Sequence, residues 1–108
     1  MNLLYEFDTE TEQDITKYLA EQLRQRRLER TLSREALSLM SGVPVSTIAK
    51  FEQKHTISLR QYIALCKALG YKEQLKQATA QPIYKTMEEL ETINTNKNRK
   101  HGRNQFNQ

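Results

Sequence analysis

Apolar residues in the first third of the chain recur every four positions, the spacing that places them on one face of an α-helix. These residues are Ile15, Leu19 and Leu23. Ahead of them, Thr9 and Glu12 have the spacing of a capping box, in which each side chain binds the other residue's backbone N–H. The pattern therefore predicts a long first helix over about residues 9–30.

Two shorter helices joined by a tight turn are predicted next. Ser33 can cap a helix that runs to Met40. Gly42 can end that helix with a positive φ, and Pro44 fits the first turn of a third helix. Four apolar side chains are spaced to point inward and hold this pair against the rest of the domain: Leu37, Val43, Ile48 and Phe51. The segment therefore predicts two helices that cross through a short turn.

Two further helices are predicted to complete the core. Ser58 can cap a fourth helix that Gly70 ends. Its apolar positions lie at helical spacing: Leu59, Tyr62, Cys66 and Leu69. A fifth helix is predicted to begin near Tyr71 and to end before Pro82.

The pattern divides the chain into four segments, and none of them is rich in strand signals. Residues 1–8 form a short N-terminal extension, and residues 9–81 form an all-α, five-helix domain. Residues 82–93 carry a short C-terminal helix that starts near Thr86. Residues 94–108 are almost purely polar and basic, so we expect a disordered tail.

The charges are strongly segregated along the chain. Residues 1–22 hold six acidic residues and one lysine, whereas residues 23–60 hold eight basic and three acidic residues. The tail adds four more basic residues: Lys97, Arg99, Lys100 and Arg103. Basic segments attract phosphate by Coulomb attraction and by counterion release, so both are candidate nucleic-acid contacts. For the tail, a minor-groove arm, a contact for a partner protein and a solubilising end all remain open.

Composition excludes several other classes of protein. Cys66 is the only cysteine, so no internal disulfide can form, and we interpret it as a core residue. Neither His55 nor His101 lies at ligand spacing with other donors, so we expect no metal and no cofactor. We find no glycine-rich phosphate loop and no catalytic motif, which indicates a protein that is not an enzyme. Without a secretory signal or a membrane-spanning run, we expect a cytoplasmic protein with no membrane contact.

The outward face of the third helix is the predicted DNA-reading surface. With Ile48 and Phe51 turned inward, the opposite face presents four residues near the start of the helix: Val45, Ser46, Ala49 and Lys50. Ser46 and Lys50 can hydrogen-bond to base edges, whereas the two apolar side chains can contact only thymine methyl groups. The arginines of the first helix are predicted to form a solvated face, apart from Arg27.

The run TLSREALSLMSGVPVSTIAKFE, followed by ISLRQYIALCKALG, resembles the Cro/cI-type (XRE) helix-turn-helix family over roughly residues 19–70. The resemblance implies that Arg34 holds a DNA phosphate at the start of the first motif helix, and we assign Ser33 beside it to a phosphate contact as well. It also implies a structural ion pair between Arg27 and Glu52.

The chain departs from the family pattern at three places. Arg34 replaces the usual Gln, which keeps a phosphate donor but loses an acceptor. Pro44 replaces the usual Ser or Thr, so the customary side-chain cap is missing from the third helix, which is the recognition helix that reads DNA in this family. The loop after Glu52 has Lys54 and His55 where the family often has Gly, and we assign both to phosphate contacts.

Within the wider family, the chain is similar to HipB-like proteins, the DNA-binding antitoxins of HipA-type kinase systems. This resemblance implies a homodimer that represses its own operon at a palindromic operator on double-stranded DNA and binds a HipA-like serine/threonine kinase toxin or toxin complex. Two alternatives stay open, namely a protein-interaction module that sequesters a kinase and a phage-type regulator without a toxin. Apolar residues outside the motif are the candidate dimer contacts: Leu3, Leu4, Phe7, Ile83, Tyr84, Met87, Leu90 and Ile93.

Overall fold

The computed structural model describes residues 8–83 and 87–97. Within these residues the chain forms six α-helices and no strand. The helices are α1 (Glu12–Glu29), α2 (Arg34–Ser41), α3 (Val45–Lys54), α4 (Leu59–Ala68), α5 (Lys72–Gln77) and α6 (Met87–Asn96). The chain divides into two compact units, Met1–Leu75 and Lys76–Gln108. The predicted all-α fold class is confirmed, and none of the described helices is long and apolar enough to cross a membrane.

The N-terminus of α1 is capped by a different pair of residues from the one predicted. The Thr11 hydroxyl accepts a hydrogen bond from the Asp14 N–H at 3.0 Å, and the Asp14 carboxylate accepts one from the Thr11 N–H at 3.0 Å. That backbone hydrogen bond lowers the pKa of the Asp14 carboxyl. Thr9 and Glu12 share the same spacing, so spacing alone does not select between the two pairs. The helix consequently begins at Glu12, later than predicted.

The core of the first unit contains all four side chains that the motif spacing predicted to point inward. These four are Leu37, Val43, Ile48 and Phe51. Buried with them are two residues of α1, two of α4 and the C-cap of α4: Ala20, Leu23, Leu65, Cys66 and Leu69. Two predicted core-facing residues are exposed instead, because Ile15 and Leu59 lie in the first turns of their helices. Helical spacing identifies an apolar face but not the point along the helix where the core ends.

The turn between α2 and α3 is built by Gly42, which has a φ of 78° and donates its N–H to the Ser38 carbonyl at 2.8 Å. Pro44 is the N-cap of α3 rather than a residue of its first turn, which corrects the predicted position. Its ψ of 146° is extended rather than helical, and no side chain caps the helix there. The missing cap is as predicted from the sequence.

The arginine that caps the C-terminus of α1 makes a contact that the sequence did not predict. The Arg30 guanidinium donates to the Ala68 carbonyl at 3.2 Å, so it links the C-terminal ends of α1 and α4. Arg26 instead forms an ion pair with Glu29 on the same helix at 2.8 Å. Arg24 and Arg30 are exposed, as predicted for a solvated face, although Arg30 also makes this contact; Arg26 is half-buried.

The fifth helix lies within its predicted bounds, and the sixth is longer than predicted. α5 ends at Gln77, well before Pro82, because Leu75 is the last residue of this segment that packs on the core. α6 extends to Asn96, three residues beyond the predicted end of the C-terminal helix. The predicted tail contact Lys97 is exposed, whereas the other three, Arg99, Lys100 and Arg103, lie outside the described residues. The apolar residues of the N-terminal extension and Tyr84 lie outside them as well.

Candidate nucleic-acid interface

The recognition helix α3 is anchored by its inner face. Ile48 and Phe51 are 1% and 3% exposed, and the Phe51 ring packs edge-on against Tyr62 of α4, with ring centroids 5.9 Å apart. On the opposite face, Ser46 and Lys50 are exposed, while Val45 and Ala49 are half-buried. The helix therefore has one fixed apolar face and one accessible face that carries a cation and a hydroxyl.

The first turn of α3 keeps backbone donors open. The Thr47 and Ile48 N–H groups both donate to the Pro44 carbonyl at 3.0 Å. No side chain caps the helix, so the N–H groups of Val45 and Ser46 have no hydrogen-bond partner in the part of the chain that the structure describes. Unpaired N–H groups at a helix N-terminus, with the helix dipole behind them, favour an anion at this end of α3.

The start of α2 carries two of the predicted phosphate contacts. The exposed Ser33 hydroxyl accepts a hydrogen bond from the Ala36 N–H at 3.0 Å, which leaves its own O–H as a donor. Arg34 is the first residue of the helix, and its side chain is 31% exposed. Its Nε atom, however, donates to Glu52 at 2.9 Å. Arg34 is therefore tied to α3, which the sequence reasoning did not anticipate.

Arg27 and Glu52 form a buried ion pair between α1 and α3. Arg27 Nε donates to Glu52 Oε2 at 2.8 Å and Nη2 donates to Oε1 at 3.0 Å, while Nη1 donates to the Leu32 carbonyl at 2.8 Å. The Arg27 and Glu52 side chains are only 8% and 4% exposed. Burial raises the pKa of the Glu52 carboxyl, but the hydrogen bonds from Arg27 and then Arg34 outweigh burial and hold that pKa below its ordinary value. Glu52 is consequently a carboxylate shared by two guanidinium groups.

The other two predicted phosphate contacts lie at the C-terminal end of α3. Lys54 is the exposed last residue of α3. His55 is half-buried and has a φ of 67°, and its N–H donates to the Phe51 carbonyl at 2.9 Å. His55 therefore occupies the left-handed conformation that Gly commonly supplies at the end of a helix.

A groove of about 460 Å³ separates the accessible face of α3 from the start of α4. It is lined by Ser46, Thr47, Lys50, Thr56, Ile57, Ser58 and Gln61. Sequence reasoning predicted only Ser46 and Lys50 for this surface and missed the other five residues. The predicted cap at Ser58 was the available signal, because it located the start of α4 close to the recognition helix in the chain. In the structure, the Ser58 hydroxyl accepts from the Gln61 N–H and donates to the Gln61 side-chain oxygen, both at 3.1 Å.

The comparison with protein families agrees with this geometry. Residues 23–75 match the helix-turn-helix family model, a span that starts inside α1 and contains all of α2, α3 and α4. The matched span begins four residues after the resemblance seen in the sequence and extends five residues beyond it. No curated protein and no solved structure matches the chain. The family consists of DNA-binding regulators that are generally not enzymes. Residues 23–75 therefore match a helix-turn-helix domain of the Cro/cI type, a domain found in DNA-binding transcription regulators.

Proposed function

We propose that this protein is a sequence-specific DNA-binding transcriptional repressor. The observation that carries the proposal is the two-sided recognition helix, whose inner face is anchored by Ile48 and Phe51 and whose outer face presents Ser46 and Lys50. A ten-residue helix is about 15 Å long, which suits insertion into the major groove. The start of α3 has no side-chain cap, so the positive end of its helix dipole is open to the DNA phosphates.

The proposal divides the surface into base-reading and phosphate-binding residues. Lys50 can donate to the O6 and N7 acceptors of guanine, and Ser46 can donate to or accept from a base edge. Val45 and Ala49 offer apolar contact to thymine methyl groups. The phosphate contacts are assigned to residues at the start of α2 and the end of α3: Ser33, Arg34, Lys54 and His55. Phosphate contacts set the position of the protein on the duplex, and base contacts set its sequence preference.

One recognition helix contacts few base pairs, so the proposal includes a homodimer that reads a palindromic operator. In the second unit, Ile83 and Met87 are 82% and 71% exposed, and Leu90 and Ile93 are half-buried. These apolar side chains are the candidate dimer contacts among the described residues. Repression follows where the operator overlaps a promoter. Analytical ultracentrifugation with and without a palindromic duplex tests this part of the proposal.

The autoregulating antitoxin role is a narrower proposal that rests on the resemblance to HipB-like proteins alone. Under it, a HipA-like serine/threonine kinase toxin or toxin complex binds the protein away from the DNA-reading face. A stoichiometric kinase that co-purifies under native expression supports this role. Purification of the protein alone favours a regulator without a toxin, and a kinase complex with no DNA affinity favours the sequestering module.

Two matched variants test the placement of the DNA face. Lys50→Ala is expected to change the preferred base sequence, because it removes a base contact. Arg34→Ala is expected to weaken binding to all duplexes alike and to reduce the salt dependence by about one phosphate contact. Both side chains are at least partly exposed, so neither change is expected to unfold the domain. If neither variant alters DNA binding, the proposed interface is wrong.

A further inference from the structure

Glu52 binds two arginines through one buried carboxylate. Its Oε1 atom accepts both from Arg27 Nη2 at 3.0 Å and from Arg34 Nε at 2.9 Å, while Oε2 accepts from Arg27 Nε at 2.8 Å. Arg27 makes a further hydrogen bond to a backbone carbonyl and is buried. Each of the three Arg27 guanidinium nitrogens therefore makes one hydrogen bond inside the domain, so the two arginines have different surroundings although they share a partner.

Arg34 keeps unused donors on the outside of the domain. Only its Nε is bound, so across the residues described here its two Nη groups have no hydrogen-bond partner. The guanidinium group is planar and rigid, so fixing Nε on Glu52 also restricts the directions of the Nη donors. Two Nη groups on one plane match the two free oxygens of a phosphate diester.

The charge balance of the three side chains points to an anionic ligand. Two guanidinium groups and one carboxylate carry a net charge of +1, and one phosphate diester neutralises it. The exposed part of this charge belongs to Arg34, because the Arg27 and Glu52 side chains are almost completely buried. The exposed Ser33 hydroxyl and the N-terminal end of α2 lie beside Arg34 in the chain and add favourable dipoles.

We propose that Glu52 is a positioning residue for DNA binding: it orients the Arg34 guanidinium so that its Nη groups form a bidentate contact with one DNA phosphate. This inference rests on the proposed function and adds a role for a residue that does not itself contact DNA. The carboxylate links the fold of the domain, through Arg27, to the phosphate contact, through Arg34. A glutamate next to a phosphate site is otherwise expected to weaken DNA binding by charge repulsion.

The first test replaces Arg34 by Lys and by Ala and measures duplex affinity across a series of salt concentrations. Lysine keeps the positive charge but has a single ammonium group. It therefore cannot donate to Glu52 from one nitrogen and bind a phosphate through two others, as the arginine can. We expect Arg34→Lys to weaken binding by about ten-fold or more while the salt slope stays at its wild-type value. Arg34→Ala should lower both the affinity and the slope. Wild-type affinity for Arg34→Lys would show that charge alone matters and would overturn the inference.

The second test uses Glu52→Gln in the wild-type and Arg34→Ala backgrounds, with affinities expressed per folded molecule. Glu35→Gln is the matched control, because Glu35 is an exposed neighbour of Arg34 that makes no ion pair among the described side chains. Simple Coulomb attraction predicts equal or tighter binding for either glutamine variant. Positioning predicts weaker binding for Glu52→Gln alone, and no further loss when it is added to Arg34→Ala.

The outcomes separate this inference from the proposed function. Equal losses from Glu52→Gln in both backgrounds, or tighter binding by Glu52→Gln, overturn the positioning role while DNA binding stands. If Glu52→Gln does not fold, the Arg34→Lys result decides, since Arg34 is partly exposed and its Lys variant keeps the buried pair intact. A wild-type protein without salt-dependent DNA affinity overturns the proposed function and this inference together.

Discussion

Replacing Arg27 by Met is the most direct probe of how the recognition helix is held in place. The substitution keeps an unbranched side chain of similar length but removes three hydrogen bonds from a buried cation to Glu52 and the Leu32 carbonyl. It leaves Glu52, only 4% exposed, with Arg34 as its remaining partner. Breaking one partner of a buried ion pair costs about 3–5 kcal/mol. Because Arg34 still compensates part of the carboxylate charge, we expect a loss of about 3 kcal/mol.

That loss is large for a unit of this size. A stability of about 0.05–0.15 kcal/mol per residue is typical, so 3 kcal/mol is a major fraction of the total for residues 1–75. Urea unfolding followed by circular dichroism should show a clearly lower midpoint with an unchanged slope. Arg26→Met is the matched control, because Arg26 forms a partly exposed ion pair with Glu29 on its own helix, and it should cost less than about 1 kcal/mol. Equal midpoints for the two variants would refute the structural role assigned to Arg27.

Three further predictions concern single groups. The folded pKa of Glu52 lies below its ordinary value of 4.5, so its ionisation stabilises the domain fully above that pH. This stabilisation is lost as the pH falls through the folded pKa. The free energy of unfolding should therefore fall less steeply with decreasing pH for Glu52→Gln than for wild type. His55→Gly should raise the free energy of unfolding by about 0.5–1 kcal/mol, since glycine adopts the left-handed conformation without strain, and a lower urea midpoint would contradict this. The Cys66 thiol is 2% exposed and burial raises its pKa, so a thiol reagent should modify it only after unfolding; rapid modification of the native protein would refute its placement in the core.

Local signals in the sequence were sufficient to predict the helix-turn-helix. Ser33, Gly42 and Ser58 act through bonds to residues within four positions, so each could be assigned without knowledge of the fold. The burial of Ile48 and Phe51 followed from helical spacing and was also predictable. The cap of α1 was not, because Thr9 and Thr11 both have an acidic residue three positions later.

Contacts between distant residues could not be predicted in the same way. Arg34 and Glu52 are separated by 18 residues, and their contact depends on how α2 and α3 are packed. The bond from Arg30 to the Ala68 carbonyl spans 38 residues and depends on the packing of α1 and α4. The Arg27–Glu52 pair was implied only by resemblance to a family, since nothing in the spacing of these residues indicates it. Contacts between side chains far apart in the sequence depend on how the helices pack, and residues close in the sequence do not determine that packing.

The outer face of α3 is the surface proposed to read a DNA sequence. In vitro selection from a random duplex pool, followed by fluorescence anisotropy on the selected site and on a shuffled duplex at the same salt concentration, tests this proposal most directly. The selected site should be bound at least about 1,000-fold more tightly than the shuffled one. Equal affinity for the two duplexes, measured on a folded protein, would contradict the proposal.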